Sequence, residues 1–123
     1  MDAGLLAATL KAGDVLFIDT SHETKVANDV VFIYGCLLPQ IAPGVIVHIH
    51  DIFLPYEYPH EWVTALGYDW GELYVVQAML TLSDHWETLW PGYYLQRTMP
   101  DFNSFFPDVR GHFAQSLWLK KLK

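Results

Sequence analysis

Apolar and polar residues are spaced unevenly along this chain, and the spacing names most of its elements. Leu5, Leu6 and Leu10 recur at helical intervals over 2–11, and Ala12-Gly13 stops that helix. Residues 14–19 form a continuous apolar run bounded by acids. Such a run predicts a strand buried on both faces, as in a parallel sheet, because burial of one face gives alternation. Thr20-Ser21-His22-Glu23 then has the pattern of a capping box. Val26, Val30, Ile33, Tyr34, Leu37 and Leu38 follow at 3.6-residue spacing, so a helix is expected from about Ser21 until Pro39. After Pro43-Gly44, residues 45–49 read as a second apolar strand. Strand, helix and strand of these lengths predict a βαβ crossover.

Beyond Asp51 the period is lost. Residues 53–71 hold two prolines and several aromatic residues, and predict an ordered loop or lid with a helical turn near 60–65. Residues 72–82 are apolar almost all round, which predicts a helix buried on more than one side. Strands are expected at 85–90, continuing through 93–95 after a Pro91-Gly92 turn, and at 115–119. Residues 101–107 read as irregular or a short helix. The fold class that follows is α/β. It has a mostly parallel sheet of about four strands, helices on its faces and an antiparallel C-terminal strand, in a single domain over 1–123.

Composition narrows the function. A 52% hydrophobic chain can fill a core, and 15% aromatic residues exceed what a core of this size needs, so some belong to a pocket, lid or interface. The net charge of −7 argues against nucleic acid and against an anionic membrane surface as partners. The one basic cluster, Lys120, Lys121 and Lys123, reads as a solubilising end. The single cysteine, Cys36, rules out a disulfide within the chain. It reads as a small core residue, and a reducing, cytoplasmic location is expected. No secretory leader pattern occurs over 1–12, and no apolar run approaches the ~20 residues of a membrane span.

The candidate chemistry sits where the two apolar strands end. The first ends on Asp19 and, three residues on, His22. The second contains His48 and ends on His50 and Asp51. Ligands of open α/β sheets bind at this carboxyl edge. His50 and Asp51, with Asp19, form a candidate metal set or a base pair, because carboxylates suit hard cations and an imidazole titrates near neutrality. Each residue has a plainer reading. Asp19 could cap the following helix, His22 could bond the helix start, and His48 reads as a core histidine. Tyr56, Tyr58 and Trp62, with His60 and Glu61, could line an acceptor pocket or simply pack a loop. Glu72 reads as a favourable charge at a helix start rather than a ligand.

The order of FIDTSH at 17–22, Asp29, LLPQIAPG at 37–44 and VIVHIHD at 45–51 resembles the C-terminal half of a class I S-adenosylmethionine-dependent methyltransferase. The closest pattern is the subgroup with Asp-x-x-His after the fourth strand and His-Asp after the fifth. A helix at 72–82, a strand near 85–90 and SLWLKK at 116–121 fit the family's closing elements. The resemblance implies a partial Rossmann-like sheet whose N-terminal half is missing, including the glycine-rich turn and the ribose-binding acid. It implies methyl transfer to a small hydroxylated acceptor, with Asp19, His50 and Asp51 catalytic, His22, Tyr56, Tyr58 and Trp62 contacting substrate, and Asp19, His50 and Asp51 holding any divalent cation such as Mg²⁺. S-adenosylmethionine would be the cofactor of a full-length parent and is not expected to bind this chain alone.

Two other functions fit the same residues. One is a non-enzymatic methyltransferase-like remnant or dimerisation module. The other is a metal-dependent hydrolase built on the His/Asp cluster. A strand at 15–19 without its family neighbour would leave an apolar sheet edge, so a homo-oligomer burying part of 5–19 is expected.

Overall fold

The computed structural model describes residues 2–109 and 111–123. Helix α1 (Ala3–Thr9) is capped by Asp2, whose carboxylate accepts the Gly4 and Leu5 N–H groups. Strand β1 (Val15–Ile18) follows. Helix α2 (Asp29–Phe32) runs on through a π turn (Ile33–Leu37) and a 3-10 turn (Leu38–Gln40) into strand β2 (Ile46–Ile49). A short α3 (His60–Thr64) lies in the aromatic loop. Helix α4 (Glu72–Leu80), β3 (Trp86–Pro91), α5 (Gly92–Thr98), α6 (Phe102–Phe105) and β4 (Leu117–Lys121) complete the chain. No described helix is long and apolar enough to cross a membrane.

The four strands form one open mixed sheet in the order β1-β2-β4-β3. The β1/β2 pair is parallel, with Ile18 opposite Ile49, so Asp19 and His50-Asp51 leave the sheet at the same end. Strand β4 runs antiparallel to both β2 and β3. Three strands therefore share a direction, but only one pairing is parallel. The second pairing of each antiparallel ladder comes from β4 inserting between β2 and β3.

Paired residues share a sheet face. One face carries Ile18, Val47, Ile49, Leu117 and Leu119, all buried with Val30, Leu38, Leu73 and Val76 of the covering helices. The other carries Phe17, His48 and Trp118 in one row. His48 lies flat on Trp118 at 4.2 Å and beside Phe17 at 4.9 Å. The Pro43-Gly44 turn packs tightly against Ala12, in the turn after α1. Gly44 has φ +88°, and a Cβ there would meet the Ala12 side chain at 2.6 Å.

Several local expectations are corrected. Strand β1 is an edge strand whose Val15 and Phe17 are more than half exposed, so its unbroken apolar run does not mean burial on both faces. No helix starts at Ser21. Residues 20–28 form a loop, because Asp29 takes the Ser21 N–H and hydroxyl at 2.7 and 2.6 Å, and Asn28 caps α2 at Val31 N–H. The capping-box residues are thus recruited elsewhere, and Asp19 caps no helix. Residues 93–95 are helical rather than strand, and Pro91-Gly92 joins β3 directly to α5. Helix α4 buries Glu72, Leu73 and Val76 while exposing Tyr74, so it is covered on one side. Cys36 is exposed at the π turn rather than in the core. His48 is half-buried and hydrogen-bonded to Ser116 at 2.9 Å.

Phe53 is fully buried, and Tyr58, Trp62, Tyr93 and Phe113 meet it edge-to-face at 5.0–6.0 Å. This ring joins the loop after β2 to α5. We expect Phe53→Ala to lower unfolding free energy by about 3–5 kcal/mol, as read from urea denaturation. A loss under about 1 kcal/mol would mean that the aromatic loop packs independently of the sheet.

Candidate functional site

The site is organised by a carboxyl group fully closed off from solvent. Glu72, the first residue of α4, is 0% exposed. Its Oε2 accepts the Thr20 hydroxyl at 2.7 Å and His22 Nδ1 at 2.6 Å, and its Oε1 accepts the Tyr34 hydroxyl at 2.6 Å. Because Glu72 accepts all three, Nδ1 of His22 carries a proton. The His22 carbonyl in turn accepts the Gly71 and Glu72 N–H groups at 2.8 and 3.0 Å, and the Tyr58 hydroxyl accepts the Leu73 N–H at 3.0 Å. The free N–H groups at the start of α4 are thereby satisfied by the loop after β1 and by the aromatic loop.

This network turns Nε2 of His22 toward the two strand ends. Nε2 lies 3.6 Å from Asp19 Oδ1 and 3.4 Å from Asp51 Oδ2. Trp70 lies across the other side of the imidazole, with ring centroids 4.2 Å apart. His22 and Asp51 both have positive φ, 58° and 55°. Left-handed backbone at residues other than glycine costs on the order of 1 kcal/mol and concentrates at sites where side-chain placement matters. Burial pulls the His22 pKa down, but the hydrogen bond and charge of Glu72, with Asp51 and Asp19 behind it, more than reverse this and leave it raised. Burial, then the Glu72 charge and hydrogen bond, push the Tyr34 phenol well above its ordinary range, so it stays a donor.

Asp19, His22 and Asp51 each present one ligand atom, all within 4.8 Å of one another. Bonds of about 2.0–2.1 Å to a tetrahedral cation place neighbouring ligands roughly 3.4 Å apart, close to the spacings found round Nε2. The Glu72 bond to Nδ1 matches the carboxylate that orients a metal-ligating histidine. Asp51 Oδ1 is buried without a hydrogen-bond partner, 3.2 Å from the similarly unpartnered Nδ1 of His50. The residues present therefore fit a divalent cation.

The sequence pattern placed Asp19, His50 and Asp51 in one set, but the structure gathers Asp19 and Asp51 round His22. His50 adjoins Asp51 from the opposite sheet face, the one shared by Phe17 and His48. Tyr56, Tyr58 and Trp62 do not form one pocket wall. Tyr56 packs on Tyr93 under the Arg97 guanidinium, Tyr58 is buried beneath α4, and Trp62 packs against Phe53 and Trp70. Two residues that carry the site, Glu72 and Trp70, were not singled out as such. For Glu72 the signal was there: an acid opening an otherwise apolar helix.

A family model described as Methyltransferase domain matches residues 3–52, less than half of the chain. That stretch contains α1 to β2 and all of Asp19, His22, His50 and Asp51, and it ends before Glu72. No curated protein and no solved structure matches the chain.

We expect the His22 ring to titrate above the ordinary value of about 6.5. The stability it lends is then complete below that value and is lost as pH rises through the raised one. Glu72→Gln should bring the midpoint down, because burial remains while the charge goes, and should cost about 1–3 kcal/mol of stability. Ring-proton NMR titration of both proteins checks this. An unmoved midpoint would remove Glu72 as the cause.

Proposed function

We propose that this chain carries the methyl-transfer edge of an S-adenosylmethionine-dependent methyltransferase that acts on a small hydroxylated acceptor. The observation that carries the reading is the parallel β1/β2 pair. Its C-terminal ends bring Asp19, His22 and Asp51 together inside the segment similar to a methyltransferase domain. In this reading the chain corresponds to the C-terminal half of such a domain. Methyl transfer to a hydroxyl needs the oxygen aligned with the sulfonium methyl and relieved of its proton. His50 suits proton removal. Its Nδ1 is buried 3.2 Å from Asp51 Oδ1, so Nε2 is the nitrogen left to meet an acceptor. Asp19, more than half exposed, suits orienting the acceptor from the β1 side.

A cation here would be held by Asp19, His22 and Asp51, with Glu72 fixing the imidazole. Bound there, it would supply Lewis-acid polarisation of the acceptor oxygen. An imidazole in the set favours Zn²⁺ or Mn²⁺ over the all-oxygen preference of Mg²⁺. One observation favours the non-enzymatic alternative: His22 and Glu72 satisfy each other within the protein and hold the loop after β1 whether or not a ligand is present.

Calorimetric titration with Zn²⁺, Mn²⁺ and Mg²⁺ separates the two. We expect binding by the transition-metal ions, weakened at least tenfold in a variant carrying Asp19→Asn and Asp51→Asn. Binding that is unchanged in the variant rejects the cation site. A second titration addresses the cofactor. Neither β1 nor β2 is followed by a glycine-rich turn, the feature that lets a backbone approach such cofactors. We expect S-adenosylmethionine to bind this chain no tighter than about 1 mM. A dissociation constant of roughly 10 μM would overturn the half-domain reading.

A further inference from the structure

On the sheet face away from the core, a cavity of about 310 Å³ lies beside His50. Trp90, Phe102, Phe106 and Phe113 line it. Trp90 reaches it through an irregularity in β3. Thr88 pairs with Leu119, but Trp90, two residues on, pairs with Trp118, so the strand bulges at Leu89. Without the bulge, alternation would put Trp90 on the core face with Trp86 and Thr88. With it, Trp90 joins Trp118 and His48 on the open face. Gly92 then allows close approach. A Cβ there would meet the Ser116 and Ala114 carbonyls at 2.8 and 2.9 Å and the Trp90 indole nitrogen at 3.3 Å. Helix α6 and its C-cap residue Phe106 close the outer wall, with Phe106 edge-on to Trp90 at 5.6 Å and Phe102 4.9 Å from Phe106.

Shape and chemistry limit the occupant. A dry cavity of about 150 Å³ accepts benzene, so this volume holds one substituted ring. Aromatic walls at these angles receive a flat ring edge-on or offset. Among the described residues, the only titratable side chain in the lining is His50, whose Nδ1 is buried beside Asp51, leaving Nε2 to meet a ligand. We propose that this cavity binds a planar single-ring aromatic bearing a hydroxyl, with the ring among Trp90, Phe102 and Phe106 and the hydroxyl toward His50. The proposal names the acceptor class for the methyl-transfer reading and rests on that reading only for what becomes of the hydroxyl.

The test uses the full chain with 4-methylphenol, toluene and cyclohexanol as probes. Neither S-adenosylmethionine nor a cation is present, so the outcome is independent of the titrations above. Binding is followed by ligand-detected NMR and by the His50 ring-proton shifts. 4-Methylphenol should bind and move the His50 resonances, and cyclohexanol should bind at least fivefold more weakly. Phe106→Ala, at a residue already 40% exposed, should weaken 4-methylphenol roughly three- to tenfold. Phe105→Ala, at the neighbouring residue but outside the lining, should leave it within twofold. His50→Gln should weaken 4-methylphenol and leave toluene unchanged. Cyclohexanol binding as tightly as 4-methylphenol, unmoved His50 resonances in the unaltered protein, or equal effects of the two phenylalanine variants would each overturn the assignment.

Discussion

The buried carboxyl group of Glu72 is the constraint on which the rest of the site depends. Burying an acid without partners is costly, and here three donors from two separate parts of the chain converge on it. Thr20 and His22 belong to the loop after β1, Tyr34 to the π turn after α2, and Glu72 itself to α4. Satisfying one carboxyl therefore fixes the helix on the sheet and fixes the loop on the helix. The direction of the His22 ring follows from this. Removing any one donor leaves a buried polar atom short of a partner, so the network forms as a unit or loosens as a unit.

The strand ends were legible in the sequence because β1 and β2 are short apolar runs that stop on acids. Parallel pairing then puts Asp19 and Asp51 at one edge. What misled was local pattern with more than one long-range use. Thr20-Ser21-His22-Glu23 has the composition of a helix start. The hydroxyls that would have accepted backbone N–H groups in a local cap instead donate to Glu72 and Asp29, which no spacing rule connects to them. The run at 15–18 reads as doubly buried because an apolar edge strand and an apolar central strand look alike without knowledge of neighbours. Trp90 was beyond reach for a different reason. Its face is decided by a one-residue bulge, and the sequence pattern WETLWP does not mark where the alternation breaks.

The end of β2 divides the chemistry between two faces. His50 projects from the open face beside an aromatic cavity, and the positive φ of Asp51 turns the next side chain toward His22. Contact between them at 3.2 Å ties the two halves together. The segment similar to a methyltransferase domain supplies both residues and their nearest neighbours, Asp19 and His22 on one face and Phe17 and His48 on the other, but only part of their settings. Glu72 and Trp70 lie beyond it, as do Trp90 and the phenylalanines of the cavity. The shared part thus provides reactive groups at a strand edge, and the part without a match adds the carboxyl that orients His22 and the aromatic wall beside His50.

The two left-handed residues of the site, His22 and Asp51, differ in how far their chemistry can be separated from the scaffold. Asparagine accepts the same backbone conformation as aspartate, so Asp51→Asn removes a charge while leaving the path of the chain intact. His22 offers no such exchange. Its carbonyl starts α4, its ring completes the Glu72 network, and its backbone angle needs a residue tolerant of positive φ. At position 51 the molecule keeps architecture and reactivity apart, and each can be altered while the other is held constant. At position 22 a single residue serves both, and selection on either one constrains the other.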